Sequence, residues 1–322
     1  MASRHPRFKH ASKVAPMQLT ERDQEIIRLI HRHRFLRSSQ IVALLGGSAQ
    51  NLLRRLQLLY HHGYLERPRA QLQYYERGGS KSIAYGLGKK RGVLLKQENG
   101  IAMHPDSWGE KNHAVGQVFL EHALLVSDVM VAIELACRKH AGIKLFYEDQ
   151  LSLPTDRQPF QWHVKTQDGI KLGVIPDRVF ALEYQDQNAR PELVHFFLEA
   201  DRGTMPVVRS GLTQTSFYRK LLVYEATWTN KIHQRHLGIH RFRVLTVTTN
   251  AMRVTSLLEA CSRLKRGHGL FLFADRTVLE KDLFSPVWQC GKSAKISALL
   301  DLPEADVPFS KESIQGNYWR GG

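Results

Sequence analysis

Apolar residues recur at helical spacing three times in the first sixty positions. In "LTERDQEIIRLIHRHRF", Ile26, Ile27, Leu29 and Ile30 form one stripe, the period of a half-buried helix. Thr20 precedes the stripe with Asp23 three positions on, a capping-box arrangement. Glu21, Asp23 and Glu25 place acids where the helix dipole favours them. "RSSQIVALLGG" predicts a second, short helix capped by Ser38, with Ile41, Leu44 and Leu45 inward and Gly46-Gly47 as its stop. "SAQNLLRRLQLLYHHG" predicts a third, capped by Ser48, burying Leu52, Leu53, Leu56 and Leu59 and ending at Gly63. Its other face carries Gln50, Asn51, Arg54 and Gln57, with Arg55 nearby. "YLERPRAQLQYY", "ERGGSKS" and "IAYGLGKKRG" then read as strand, turn and returning strand.

Residues 99–112 are polar and bear Gly and Pro, which predicts a linker. The following "VGQVFLEHALLVSDVMVAIELACRKHAG" predicts a long helix with Phe119, Ala123, Val126, Met130, Ile133 and Cys137 on one stripe, interrupted by Glu121, His122 and Asp128. Strand patterns follow in "IKLFYEDQLSL", in a hairpin turning at Gln167-Asp168-Gly169, and in "ELVHFFLEAD", whose nearly unbroken apolar run predicts a central strand. "TSFYRKLLVYEATWTNK" reads as helix, "FRVLTVTTN" as strand, "AMRVTSLLEACSRLKRG" as helix and "GLFLFAD" as strand; the tail from about 285 is weakly patterned. Trp162 and Trp228 read as core residues, not base-stacking platforms. This order predicts an α/β (α+β) fold, one mixed sheet with flanking helices.

Composition changes the picture through charge. The 322 residues suit two domains, and the formal net charge is +16. Residues 1–100 hold 19 Lys/Arg against 6 Asp/Glu, while the remaining 222 hold 27 against 24. A basic excess confined to the first third points to a polyanion such as DNA. The second and third helices with the hairpin then read as a winged helix-turn-helix over residues 18–98, preceded by a basic tail, 1–17, expected to be disordered. Gln and Asn bond adenine edges, and Arg bonds guanine edges or phosphate. The DNA-facing set is therefore Ser48, Gln50, Asn51, Arg54 and Arg55 on the helix, with Lys81, Lys89, Lys90 and Arg91 (and Arg77) on the wing, where cations meet the phosphate backbone. The same pattern also fits a plain three-helix bundle with a solvated face. His31, His33, His61 and His62 read as solvated or phosphate-contacting. No apolar run is long enough for a membrane span, the N-terminus lacks an apolar signal region, and Cys137, Cys261 and Cys290 are too scattered for a disulfide framework or structural zinc. These features predict a cytoplasmic protein. There is no P-loop, dinucleotide-binding glycine motif or nucleophile elbow.

Three carboxylates end or start strand-like runs: Asp177 in "VIPDRVFAL", and Glu199 and Asp201 in "FFLEADRGT". Period two puts Glu199 and Asp201 on one face, and an antiparallel neighbour would bring Asp177 there. Hard oxygen ligands of this kind suit Mg²⁺ or Mn²⁺. The helix-strand-strand-strand-helix-strand order, with Pro176-Asp177 and then Glu199-x-Asp201, resembles the PD-(D/E)xK endonuclease-like superfamily. That resemblance implies a restriction-endonuclease-like domain over 113–322, a metal held by Asp177 and Glu199, and a catalytic set of Asp177, Glu199, Asp201 and Lys220. Asp201 stands where the motif has Lys, and Lys220, in the helix after the strand, would supply it. Glu121 would match the extra acid some members carry on the first helix. The larger architecture, from "LTERDQEIIRLIHRHRFLRSSQIVALLGGS" through "PDRVFAL", "FFLEADRGT" and "YRKLLVY", resembles the replication-relaxation family of plasmids and other mobile elements. The resemblance implies a protein that binds double-stranded DNA in replication, relaxation or DNA processing, with a nuclease-like domain either active or degenerate. Replication, mobilisation or other mobile-element proteins, and a second copy of the chain, are the implied partners. The rival reading is a winged-helix transcriptional regulator whose C-terminal domain serves dimerisation or ligand or partner binding.

Overall fold

The helices predicted at the N-terminus form, and a three-stranded sheet ties them together. The computed structural model describes residues 7–72, 82–91, 108–153, 160–166, 169–186, 188, 190–292 and 295–302. Within it α1 (Glu21–His33), α2 (Ser38–Leu45) and α3 (Ala49–His61) surround Ile26, Ile27, Ile30, Ile41, Leu52, Leu56 and Leu59. Strands β1 (Phe35–Arg37), β2 (Leu65–Glu66) and β3 (Ala84–Leu87) run in the order β1-β3-β2, both pairings antiparallel. The capping box is present: Asp23 N and the Thr20 hydroxyl are 3.3 Å apart, and Thr20 N donates to Asp23 Oδ2 at 2.8 Å.

The predicted strand over 64–75 is cut short. Among its described residues, 64–72, Leu65 and Glu66 pair in the sheet, and Pro68 has no N–H to continue the ladder. A 3₁₀ turn follows at Arg69–Gln71, and the Gln71 amide replaces the lost strand bonds: its Nε2 donates to Ala84 O at 2.9 Å and its Oε1 accepts from Ala84 N at 2.8 Å. The predicted tail is also different from residue 7 onward. The His10 ring stacks on Tyr60 with centroids 4.3 Å apart and lies 3.2 Å from Glu66 Oε2, and Ala11 N donates to His61 Nδ1.

The end of the predicted linker is helical, α4 (Trp108–His113), and Asn112 is buried with its Nδ2 donating to Leu87 O at 3.0 Å. The long helix α5 (Gln117–Lys139) is buried on most of its circumference, as expected of a helix enclosed by the protein. One side meets the N-terminal unit: Ser127 Oγ donates to Phe35 O at 2.7 Å, Gln40 Nε2 donates to Asp128 Oδ1 at 2.8 Å, Arg37 pairs with Asp128, and Arg138 donates to Leu44 O. The other side, with Val126, Met130 and Ile133, covers the large sheet.

That sheet contains β4 (Lys144–Tyr147), β7 (Arg178–Gln185), β8 (Pro191–Ala200), β9 (Phe242–Thr248), β10 (Phe271–Asp275), β11 (Trp288–Cys290) and β12 (Ile296–Ser297), in the order β12-β11-β10-β9-β8-β7-β4. β8, β9 and β10 are parallel and the remaining pairs antiparallel. Each parallel step needs a crossover, supplied by α6 (Phe217–Thr229) with the short α7 (Ile232–Arg235), then by α8 (Ala251–Ser262). These helices pack Leu221, Tyr224, Val254 and Leu257 against Phe197, Val244, Phe271 and Phe273 on the face opposite α5. A separate hairpin, β5 (Trp162–Lys165) and β6 (Lys171–Val174), packs on α6, where Trp162 Nε1 donates to Thr227 Oγ1 at 2.7 Å. The fold is mixed α+β, with eight α-helices among the described residues.

Candidate functional site

The α3 helix presents two faces of different chemistry. Leu52, Leu56 and Leu59 are buried, while Gln50, Asn51, Arg54 and Gln57 are exposed along the opposite side. Ser48 is exposed at the N-cap, and its hydroxyl accepts from Asn51 N at 3.4 Å. Arg55 departs from expectation. Its Nε donates to Asp23 Oδ1 at 2.9 Å, its Nη2 pairs with Asp23 Oδ2, and it also donates to Gln18 O at 3.2 Å. Asp23 is fully buried, so Arg55 is committed to holding α3 against α1 and is withdrawn from the phosphate-contacting set. Burial alone would raise the Asp23 carboxyl, but the bonds from Arg55 and Thr20 outweigh it and hold the group below its ordinary range.

Lys89 and Lys90 are exposed in a 3₁₀ turn directly after β3, and Lys90 N donates to Gly63 O at 3.0 Å, fixing that turn to the end of α3. Gly88 allows this approach, since a Cβ there would stand 2.3 Å from Gly63 O. Arg91 closes the turn, with its side chain outside the described residues, as are Arg77 and Lys81. Two of the four histidines expected at the surface are buried: His33 at 3% exposure and His61 at 6%.

The carboxylates gather at the C-terminal end of β8. Asp177 enters β7; its N–H donates to Leu198 O at 2.9 Å and its Oδ2 accepts from Ala200 N at 2.7 Å. Its Oδ1 lies 3.0 Å from His122 Nε2 on α5. Glu199 is 1% exposed; its Oε2 pairs with Lys220 and its Oε1 accepts from Tyr224 Oη at 2.6 Å. Lys220 and Tyr224 are one helical turn apart on α6, which is why both reach one carboxylate. The lysine predicted to stand in from the following helix thus meets Glu199.

Burial raises the Glu199 carboxyl to about 7, against the pull of Lys220. Burial also works against the Lys220 ammonium, but Glu199 and Asp177 outweigh it and raise its pKa. The hydrogen bond to Asp177 raises His122, and Asp177 is lowered because His122 and Lys220 outweigh its own burial. The cluster therefore sets Lys220 and His122 against Asp177 and Glu199.

Asp201 belongs to a neighbouring clamp. It accepts from Thr248 Oγ1 and from Arg253 Nε, both at 2.7 Å, and from Arg253 Nη2 at 3.1 Å; that Nη2 also donates to Met205 O at 2.6 Å. The acid in the lysine position of the motif thus pins the loop after β8 to α8. Glu121 pairs with Arg202 at 3.4 Å, so α5 reaches Asp177 through the next residue, His122. Among the described residues no three His, Cys, Asp or Glu side chains are grouped to hold a metal ion.

The replication-relaxation family profile matches residues 27–241, two thirds of the chain. The chain belongs to the replication-relaxation family. No curated protein and no solved structure gave a significant match. Membership ties the chain to replication and relaxation, and so to DNA and the machinery of mobile elements. The matched span contains both the polar face of α3 and the Asp177–Glu199–Lys220–Tyr224 cluster, but not Thr248 or Arg253 of the clamp. No helix among the described residues is long and apolar enough to cross a membrane.

Sequence reasoning missed two members of the cluster. Tyr224 lies on the apolar side of its helix with Phe217 and Leu221, and its ring is in the core; its spacing of four from Lys220 was the available signal. His122 was visible only as an interruption of an apolar pattern, and nothing local indicates a partner 55 residues away.

Proposed function

We propose that this chain binds double-stranded DNA through its N-terminal unit, acting as a winged helix-turn-helix, in the replication or relaxation of a plasmid or other mobile element. The observation that carries the reading is the exposed row Gln50, Asn51, Arg54 and Gln57 on a helix that buries Leu52, Leu56 and Leu59 on its other side, while Leu53, expected there, is 47% exposed. These side chains have the lengths and donors that read base edges in a major groove. Lys89 and Lys90, at the C-terminal end of the same helix, supply cations for the flanking phosphates. The excess of 19 Lys/Arg over 6 Asp/Glu in residues 1–100 provides the long-range attraction.

The test is binding of fluorescent duplexes as a function of salt. Affinity should fall steeply as salt rises, and Arg54→Ala should lose roughly 1–3 kcal/mol and the preference among sequences. An unchanged preference in Arg54→Ala would remove α3 from the recognition role.

A second reading, metal-dependent nicking by the sheet unit, is favoured by one observation: Lys220 reaches Glu199 beside Asp177, as a nuclease-like site would require. Two carboxylates are the usual protein share of a Mg²⁺ or Mn²⁺ site, so the donors fit in kind. Asp177 and Glu199 would hold the ion, which would polarise a phosphate and activate water. Each oxygen of both carboxylates already accepts one bond within the protein, so an ion would share them with Lys220 and His122.

A further inference from the structure

Two cavities meet at Trp228, at the end of the large sheet opposite Glu199. One, of about 220 Å³, is lined by Trp228, His233, His240, Arg241, Phe242 and Arg243, among others. The second, of about 300 Å³, is lined by the same indole with Gly267, His268, Gly269, Leu270 and Lys292. Val194, also in the first cavity, lies five residues before Glu199 on β8, so the two sites are separated by roughly 17 Å of strand.

Trp228 was expected in the core, yet it is 41% exposed at the last turn of α6, while Trp162 is buried. The turn beside it is built to stay thin. Gly267 adopts φ +70°, and a Cβ there would stand 3.5 Å from Trp228 Cε3 and 3.1 Å from Leu270 Cδ1. The indole, with Gly269 and Leu270, borders both openings.

The surroundings are positive. Lys231 and Arg235 follow Trp228, and Lys265 and Arg266 precede Gly267, all exposed. Glu225, one turn before Trp228, accepts from Lys265 N and Arg266 N at 2.8 and 2.7 Å, and Glu192 and Asp301 are paired with Arg241 at 3.0 and 3.6 Å. His240 and Lys292 are exposed at the rims. A flat aromatic flanked by cations matches the two needs of an unpaired strand, a face for a base and charge for its phosphates. A duplex, whose bases are already stacked, offers nothing to such a ring.

We propose that Trp228 is a stacking platform for a base of single-stranded DNA, with Lys231, whose N–H donates to Trp228 O at 3.0 Å, and Lys292 attracting the adjoining phosphates. Replication and relaxation both expose such a strand, which is the reason for naming DNA and not RNA; the platform does not depend on how α3 meets a duplex.

The test uses the full chain and fluorescein-labelled oligo(dT), with oligo(rU) and a labelled duplex as separate arms. Trp228→Ala should weaken oligo(dT) binding about tenfold, and Lys292→Glu should weaken it and flatten its salt dependence. Trp228→Phe should restore most of the loss, since a ring and not the indole N–H is required. Duplex binding should be unchanged by Trp228→Ala and reduced by Arg54→Ala, and Arg54→Ala should leave oligo(dT) binding intact. Trp228 is more than half buried, so the thermal midpoint should fall in Trp228→Ala and far less in Trp228→Phe, which keeps a ring in place; Trp228→Phe and Lys292→Glu therefore separate binding from folding. Equal oligo(dT) affinity with and without Trp228, tighter binding of oligo(rU), or loss of oligo(dT) binding on Arg54→Ala instead would each overturn the proposal.

Discussion

Glu199→Gln is the sharpest probe of the buried cluster. The substitution keeps the shape and an acceptor for Lys220 or Tyr224, but removes a titration that the fold perturbs. In the folded protein burial holds the carboxyl at about 7, against an ordinary value of 4.5. The sign is the less common one for an acid. The folded state binds the proton more tightly than the unfolded state, so stability is fully present below pH 4.5, falls as pH rises towards 7, and is level above. At about 1.36 kcal/mol per pH unit the full effect is roughly 3.4 kcal/mol, of which roughly 2.5 kcal/mol falls between pH 5 and pH 8. Lys220 stays charged across this range because its own pKa is raised. Asp177, its pKa lowered, stays ionised across this range, and the His122 titration, which Asp177 governs, is present in both proteins. Urea unfolding of the two proteins at pH 5, 6, 7 and 8, followed by tryptophan fluorescence, should show the native protein losing roughly 2.5 kcal/mol relative to Glu199→Gln. A difference that stays level across the series, or one that moves the other way, would refute the argument that Glu199 is desolvated beyond what Lys220 offsets.

Two further outcomes follow from the same geometry. Asp23→Ala removes the returning half of the α1 capping box and the partner of Arg55, and should destabilise the N-terminal unit by about 2–3 kcal/mol at pH 7; because the folded pKa of Asp23 is depressed, this contribution is present above pH 3.8 and the deficit should shrink as pH falls through the folded value, as a series of urea titrations from pH 7 downward would show. If the nuclease-like reading holds, Mg²⁺ or Mn²⁺ should support nicking of supercoiled DNA, measured on gels, that Asp177→Ala and Glu199→Ala abolish; no cleavage with either ion would leave the cluster a structural one.

Elements carried by a long period were legible. The α1 cap, the two-faced α3, and β8 with its nearly continuous burial all follow from local pattern. Elements fixed by distant pairing were not. β1 is three residues long and exists because Leu36 and Arg37 find Tyr85 and Ala84. β11 and β12 form in the weakly patterned tail because β10 offers an edge. The same division runs through the site. Asp177, Glu199 and Lys220 could be grouped from strand ends and the following helix. The withdrawal of Arg55 to Asp23, 32 residues away, and of Asp201 to Arg253, 52 away, are tertiary choices. Both are acids or bases that local chemistry would assign to a ligand and that the fold uses for itself.

The central claim is that the outer face of α3 lies against DNA. Placing a photo-crosslinking benzoylphenylalanine at Gln50, and separately at Glu280, which is exposed on the far unit, tests it directly with a labelled duplex that the protein binds. Irradiation should join the position-50 protein to the duplex and leave the position-280 protein free. Crosslinks of equal yield at both positions, or none at position 50 while the duplex remains bound, would contradict it.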